Sequence, residues 1–128
     1  MQSGVFSVKR LWKTNRLKAK FNNLVTRGGY VYGLEDGILA CLDLATGELK
    51  WKDGRYGHGQ FILVRDLLLI TAEHGELVLL DPVPSEQREL TKFKALNGKT
   101  WNPPAMIGDI LLVRNDQEAA CYRLPVAP

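Results

Sequence analysis

The side chains that could do chemistry gather just ahead of short apolar runs. The stretch Arg55-Tyr56-Gly57-His58-Gly59-Gln60 sets an imidazole between two glycines, where a ligand or another backbone can come close. Ahead of two other apolar runs stand Asn22-Asn23 and Trp101-Asn102. Asn22, Asn23, Arg55, His58, Gln60, Trp101 and Asn102 are therefore the candidate ligand-binding set, suited to a small polar molecule. The same amides and imidazole can instead satisfy backbone groups where strands begin. Both readings stand at this level.

Covalent, metal and nucleotide chemistry find less support. Gly57-His58-Gly59 precedes a strand-like run rather than a helix, so it is neither a dinucleotide fingerprint nor a P-loop. No Gly-x-Ser-x-Gly or His-Glu-x-x-His occurs, and no residue is assigned a catalytic role. With two histidines, His58 and His74, and no Cys-x-x-Cys, no metal site is expected. The acidic residues Glu35, Asp36, Glu73 and Asp116 sit on separate turn-like segments, which turn chemistry explains.

The elements that must position these residues repeat. Three segments align: Phe21 to Lys52, His58 to Lys94 and Trp101 to Arg123. Each reads as short apolar strand, tight turn, strand, acidic turn, strand. The first turns are Gly28-Gly29, Arg65-Asp66 and Gly108-Asp109, and glycine supplies the positive φ that tight hairpins use. Two segments add a fourth strand ending in an aromatic between lysines, Lys50-Trp51-Lys52 and Lys92-Phe93-Lys94. An orphan fourth strand, carrying Leu11-Trp12-Lys13, is expected over residues 5–13. Trp12, Trp51 and Phe93 follow at intervals of 39 and 42 residues. Four strands at that period predict an all-β chain of propeller blades. The single domain, 1–128, divides into a closing strand (5–13), blades at 18–52 and 56–94, and an incomplete blade at 99–124.

The clearest unit is Cys41-Leu42-Asp43-Leu44-Ala45-Thr46-Gly47-Glu48-Leu49-Lys50-Trp51. Asp43 is expected to accept backbone N–H bonds across the turn, with Thr46 closing it and Gly47 taking a conformation that a Cβ would penalise. Trp51 should bury much of its ring between blades, contributing roughly 2–3 kcal/mol. Cys41 and Cys121 fall at equivalent third-strand positions two blades apart, out of disulfide reach, and are expected to be small buried fillers.

This unit resembles the Ala-x-Asp-x-x-Thr-Gly-x-x-x-Trp tryptophan-docking motif of pyrroloquinoline-quinone (PQQ)-like propellers, with Cys41 at the Ala position. The second segment keeps Leu80-Asp81, replaces Thr-Gly by a larger loop and has Phe93 for Trp; the third keeps the strand pattern alone. The resemblance implies a propeller of about eight blades, an envelope or periplasmic setting, and one of two roles. One is a non-catalytic scaffold that binds a protein partner and no cofactor, as the lipoprotein of the outer-membrane assembly machine does. The alternative is part of a PQQ-dependent dehydrogenase, whose vicinal Cys-Cys pair is missing here and whose Trp platform only Trp101 could supply. Strand counts of one, four, four and three imply closure within a longer ring, or between two copies joined head to tail.

Charge adds one feature. No acidic residue precedes Glu35, whereas Lys9, Arg10, Lys13, Arg16, Lys18, Lys20 and Arg27 do, leaving 10 basic against 14 acidic residues beyond. The net +3 does not call for a nucleic-acid partner; the basic front is read as a protected strand edge, with polyanion binding as the weaker alternative. No run of about 18 apolar residues is present to form a transmembrane helix, and Met1 to Phe6 does not read as a signal peptide.

Overall fold

The structure is a computed structural model, and it describes residues 6–20 and 22–124. Among these residues the secondary structure is entirely β. The strands are β1 (Val25–Arg27), β2 (Tyr30–Glu35), β3 (Ile38–Asp43), β4 (Leu49–Arg55), β5 (Gln60–Val64), β6 (Leu67–Thr71), β7 (Glu76–Asp81), β8 (Arg88–Lys94), β9 (Ala105–Ile107), β10 (Ile110–Arg114) and β11 (Ala119–Arg123). They form three antiparallel sheets in the orders β1-β2-β3-β4, β5-β6-β7-β8 and β9-β10-β11. Each sheet is a propeller blade, a meander in which every strand pairs with its chain neighbour.

Period-2 alternation gives each blade two apolar faces, and the faces stack in chain order. Tyr32, Leu34, Leu39 and Cys41 of the first blade meet Leu68, Ile70, Val78 and Leu80 of the second. Leu69, Leu77 and Leu79, on the opposite face of the second blade, meet Leu111 and Val113 of the third. Burying each such side chain stabilises by about 1.5–3 kcal/mol, so blade-on-blade contact dominates the fold. One linker residue plugs each junction: Tyr56 in the first, Leu96 in the second. Register shifts between β3 and β4 and between β7 and β8 mark bulges at the outer strand of both complete blades.

The expected closing strand does not form within the single chain. Residues 1–5 lie outside the described part, and residues 6–13 carry no strand. The third blade keeps three strands, ending at β11. The physical reason is connectivity. A strand forms only beside a partner, and within one chain the N-terminal segment packs on the first blade while the open edge of β11 belongs to the third. The expectation for Cys121 is corrected: it is exposed, whereas Cys41 is buried. Cys41 is covered by the second blade, and no blade covers Cys121.

Candidate functional site

The turn after β3 is closed by its own side chains. The Asp43 carboxylate Oδ1 accepts the backbone N–H of Ala45 (2.8 Å) and of Thr46 (3.2 Å), and Thr46 Oγ1 accepts that of Glu48 (3.2 Å). Gly47 has φ 76°, and a Cβ there would lie 2.7 Å from the Trp12 ring. Trp12 donates its indole N–H to Leu44 O at 2.7 Å. Trp51 repeats this one blade on, donating to Val83 O at 2.9 Å and packing at 6.2 Å from the Tyr32 ring, half-buried. Phe93 has no N–H to give; it stands edge-on to Tyr122, ring centroids 5.3 Å apart. Asp81 faces Arg88 at 3.5 Å and so braces the enlarged loop of residues 82–87.

The candidate ligand-binding residues fall into linked pairs. Asn22 Nδ2 donates to Gly59 O at 3.0 Å, joining the start of the first blade to that of the second. Its Oδ1 is buried and accepts no hydrogen bond from the described residues. Trp101 donates to Glu73 Oε2 at 2.6 Å, and the Glu73 carboxylate also accepts from the His58 backbone. Gln60 is buried at the head of β5, where its carbonyl accepts from Thr71 Oγ1 at 3.1 Å. His58 is half-buried and Asn23 exposed. Arg55 stands apart, exposed at the end of β4 opposite Ile38. Trp101 and Asn102, with Lys99 and Asp116, line a cleft of about 340 Å³, and the Lys99 ammonium lies 5.2 Å from the Trp101 ring centre.

Three positioning residues were not singled out from the sequence. Glu73 read as turn chemistry, yet it holds Trp101. That hydrogen bond, ahead of the opposing effect of burial, keeps the Glu73 carboxyl below the usual carboxylate range. Glu35, also a turn residue, is buried and accepts the Lys18 backbone N–H at 2.7 Å. Tyr56 is buried in the first junction; its hydroxyl donates to Glu89 at 2.9 Å and accepts from Gln87 at 2.6 Å, tying β8 to the linker. The available signal was position: Glu35 and Glu73 occupy the same turn in successive repeats. Burial pushes the Cys41 thiol up to about 11, which fits a filler rather than a nucleophile.

BamB from Moraxella catarrhalis superposes with a TM-score of 0.58 over 77% of this chain and 29% of its own, at 16% identity. A europium-containing methanol dehydrogenase superposes at 0.55 over 70% of this chain and 19% of its own, at 19% identity. The computationally designed Ika4 protein superposes at 0.56 over 92% of this chain and 99% of its own, at 9% identity. No protein-family model matches the chain, and no curated protein sequence matches it. Likeness at these identities establishes the fold alone: β-propeller blades.

Proposed function

We propose that this chain is a non-catalytic propeller scaffold in the cell envelope that binds a protein partner along its outer, fourth-strand side. The exposure of β8 carries this reading. All seven residues of Arg88–Lys94 are exposed, and β8 ends its sheet, so its outer edge has no neighbour among the described strands. Leu90 is 54% exposed and is the extra residue of the β8 bulge, between Glu89 opposite Leu80 and Thr91 opposite Leu79. A fixed strand with an unpaired edge and one apolar anchor is suited to strand addition by an extended peptide. The hydrogen bonds from Tyr56 and Gln87 fix it. Likeness to BamB supports a propeller scaffold.

A photoreactive phenylalanine analogue at Leu90, introduced in the native host, should give a discrete protein adduct, and the same group at exposed His74 should not. Equal labelling at the two positions would overturn the reading.

The Trp101 cleft favours a second reading, part of a quinone-dependent dehydrogenase, since a flat exposed indole beside an ammonium could stack a carboxylated quinone. The fit is partial. Asn102 and Asp116 offer three side-chain oxygens where Ca²⁺ takes about six to eight, and no cluster of three His, Cys, Asp or Glu side chains suited to a metal occurs among the described residues. Titration with the quinone and Ca²⁺ should leave absorbance and Tm unmoved under the scaffold reading; a rise in Tm would favour the dehydrogenase.

A further inference from the structure

We propose that the open third blade is an interface for a second copy of this chain, whose first blade and residues 6–13 complete it. Three observations point to the same occupant.

The first is the stacking rule. Tyr32 pairs in register with Cys41, Leu69 with Leu79, and Leu112 with Cys121. The first two pairs are buried against the next blade. In the third, Leu112 is 49% exposed and the neighbouring Ile107 75%. Ala105, Leu112 and Ala119 line a shallow, mostly apolar cleft of about 310 Å³ on this face.

The second is the surface that this face should meet. On the far side of the first blade, Val31, Ala40 and Leu42 form a small cluster of their own, with Leu17 against it. Leu17 and Leu24 lie so close to Gly33 that a Cβ there would meet both side chains. Tyr56 and Leu96 are linker plugs of complete junctions, and Leu17 is the same plug in a junction that has one blade instead of two. An incoming blade face would extend this cluster without displacing it.

The third is Trp12. Trp51, on a fourth strand, docks on the turn of the following blade, and Trp12 docks the same way on the first blade. Residues 6–13 are therefore held where the fourth strand of a preceding blade would run, and no described strand lies beside them to pair with. Among the described strands the third blade has the reverse defect, three strands and an unpaired β11 edge. One copy's segment supplies what the other's blade lacks. By analogy with Cys41 opposite Trp51, Cys121 of one copy would lie opposite Trp12 of the other. Two copies of three sheets each make a closed head-to-tail ring of six, inside the usual span of roughly four to eight blades.

Light scattering of the full chain at micromolar concentration should give twice the chain mass of 14.4 kDa. Leu112→Arg and Trp12→Ala should each halve that mass while circular dichroism stays unchanged. Mixed in equal amounts, the two variants should regain the doubled mass, because Leu112 of one meets Trp12 of the other. Such complementation separates a head-to-tail interface from one in which like faces meet. Ile107→Lys, at the most open position of the face, provides a second face variant should Trp12→Ala lose strand content. A monomer at every concentration overturns the proposal, whatever else then covers the face, and so does a dimer that survives the face variants. Neither result touches the β8 partner reading, which uses a different edge.

Discussion

The second and third blades are built on the same alternation and end in different environments. Leu69 and Leu112 occupy one position in the repeat, yet Leu69 is 1% exposed and Leu112 49%. Leu79 is buried, and its counterpart Cys121 is exposed. The second blade has a neighbour on each face and the third has one. The pattern of a blade decides which side chains share a face; the next blade decides whether that face is dry. Stability should then be unevenly distributed, and substitutions at matched positions can measure the difference.

The largest effect should come from the matched leucines. Leu69→Ala leaves a cavity between two blades and should cost about 2–5 kcal/mol in urea unfolding. Leu112→Ala, measured at a dilution where the chain is monomeric, should cost less than about 1 kcal/mol. Equal costs would mean that the third face is covered in solution.

A second pair concerns turns. Gly47→Ala adds a Cβ at positive φ against the Trp12 ring and should cost about 1–3 kcal/mol. Gly108→Ala, also at positive φ but with nothing within 4 Å, isolates the backbone part of that cost, about 1–2 kcal/mol. The excess at Gly47 should appear together with a shift in tryptophan fluorescence, because Trp12 must move.

Smaller still is the contrast between the two aspartates that end their third strands. Asp43→Ala removes the acceptor of two backbone N–H groups and should cost about 1–2 kcal/mol. Asp81→Ala breaks an exposed ion pair with Arg88 and should cost below about 1 kcal/mol.

The smallest expected effect is electrostatic and joins the second blade to the third. The Trp101 hydrogen bond lowers the Glu73 pKa in the folded chain. A depressed carboxylate stabilises the fold fully above its unfolded pKa, about 4.3, and loses that contribution as pH falls through the folded value. Glu73→Gln should therefore flatten the fall of Tm between about pH 5 and pH 3. An unchanged slope would show that the Trp101 contact does not form in solution.

Much of the fold was legible because strands write a period of two into the chain and turns demand particular residues. β1 and β2 flank the expected Gly28-Gly29 turn, β5 and β6 the Arg65-Asp66 turn and β9 and β10 the Gly108-Asp109 turn, and Asp43, Thr46 and Gly47 close the turn that their types imply. Trp12 was legible as a member of the aromatic series, but its strand was not realised, since strand formation depends on a partner that pattern alone does not locate. The candidate site was less legible. Asn22 and Trp101 do bridge neighbouring blades, but through Gly59 and Glu73, and the sequence alone does not say which group each would meet. Arg55, adjacent in sequence to Tyr56, stands apart because the chain leaves β4 there and turns toward the next blade.

From its residue order alone this chain determines a blade: alternating apolar positions, glycines where φ must be positive, and an aromatic on the outer strand. These are local requirements, met within a few residues along the chain or across one hairpin. Which faces are covered, whether Cys121 is buried, and whether residues 6–13 become a strand were decided by the stacking of one blade on another. Burial and strand pairing are relations between segments far apart in the chain, and they exist only where a neighbour supplies the second surface.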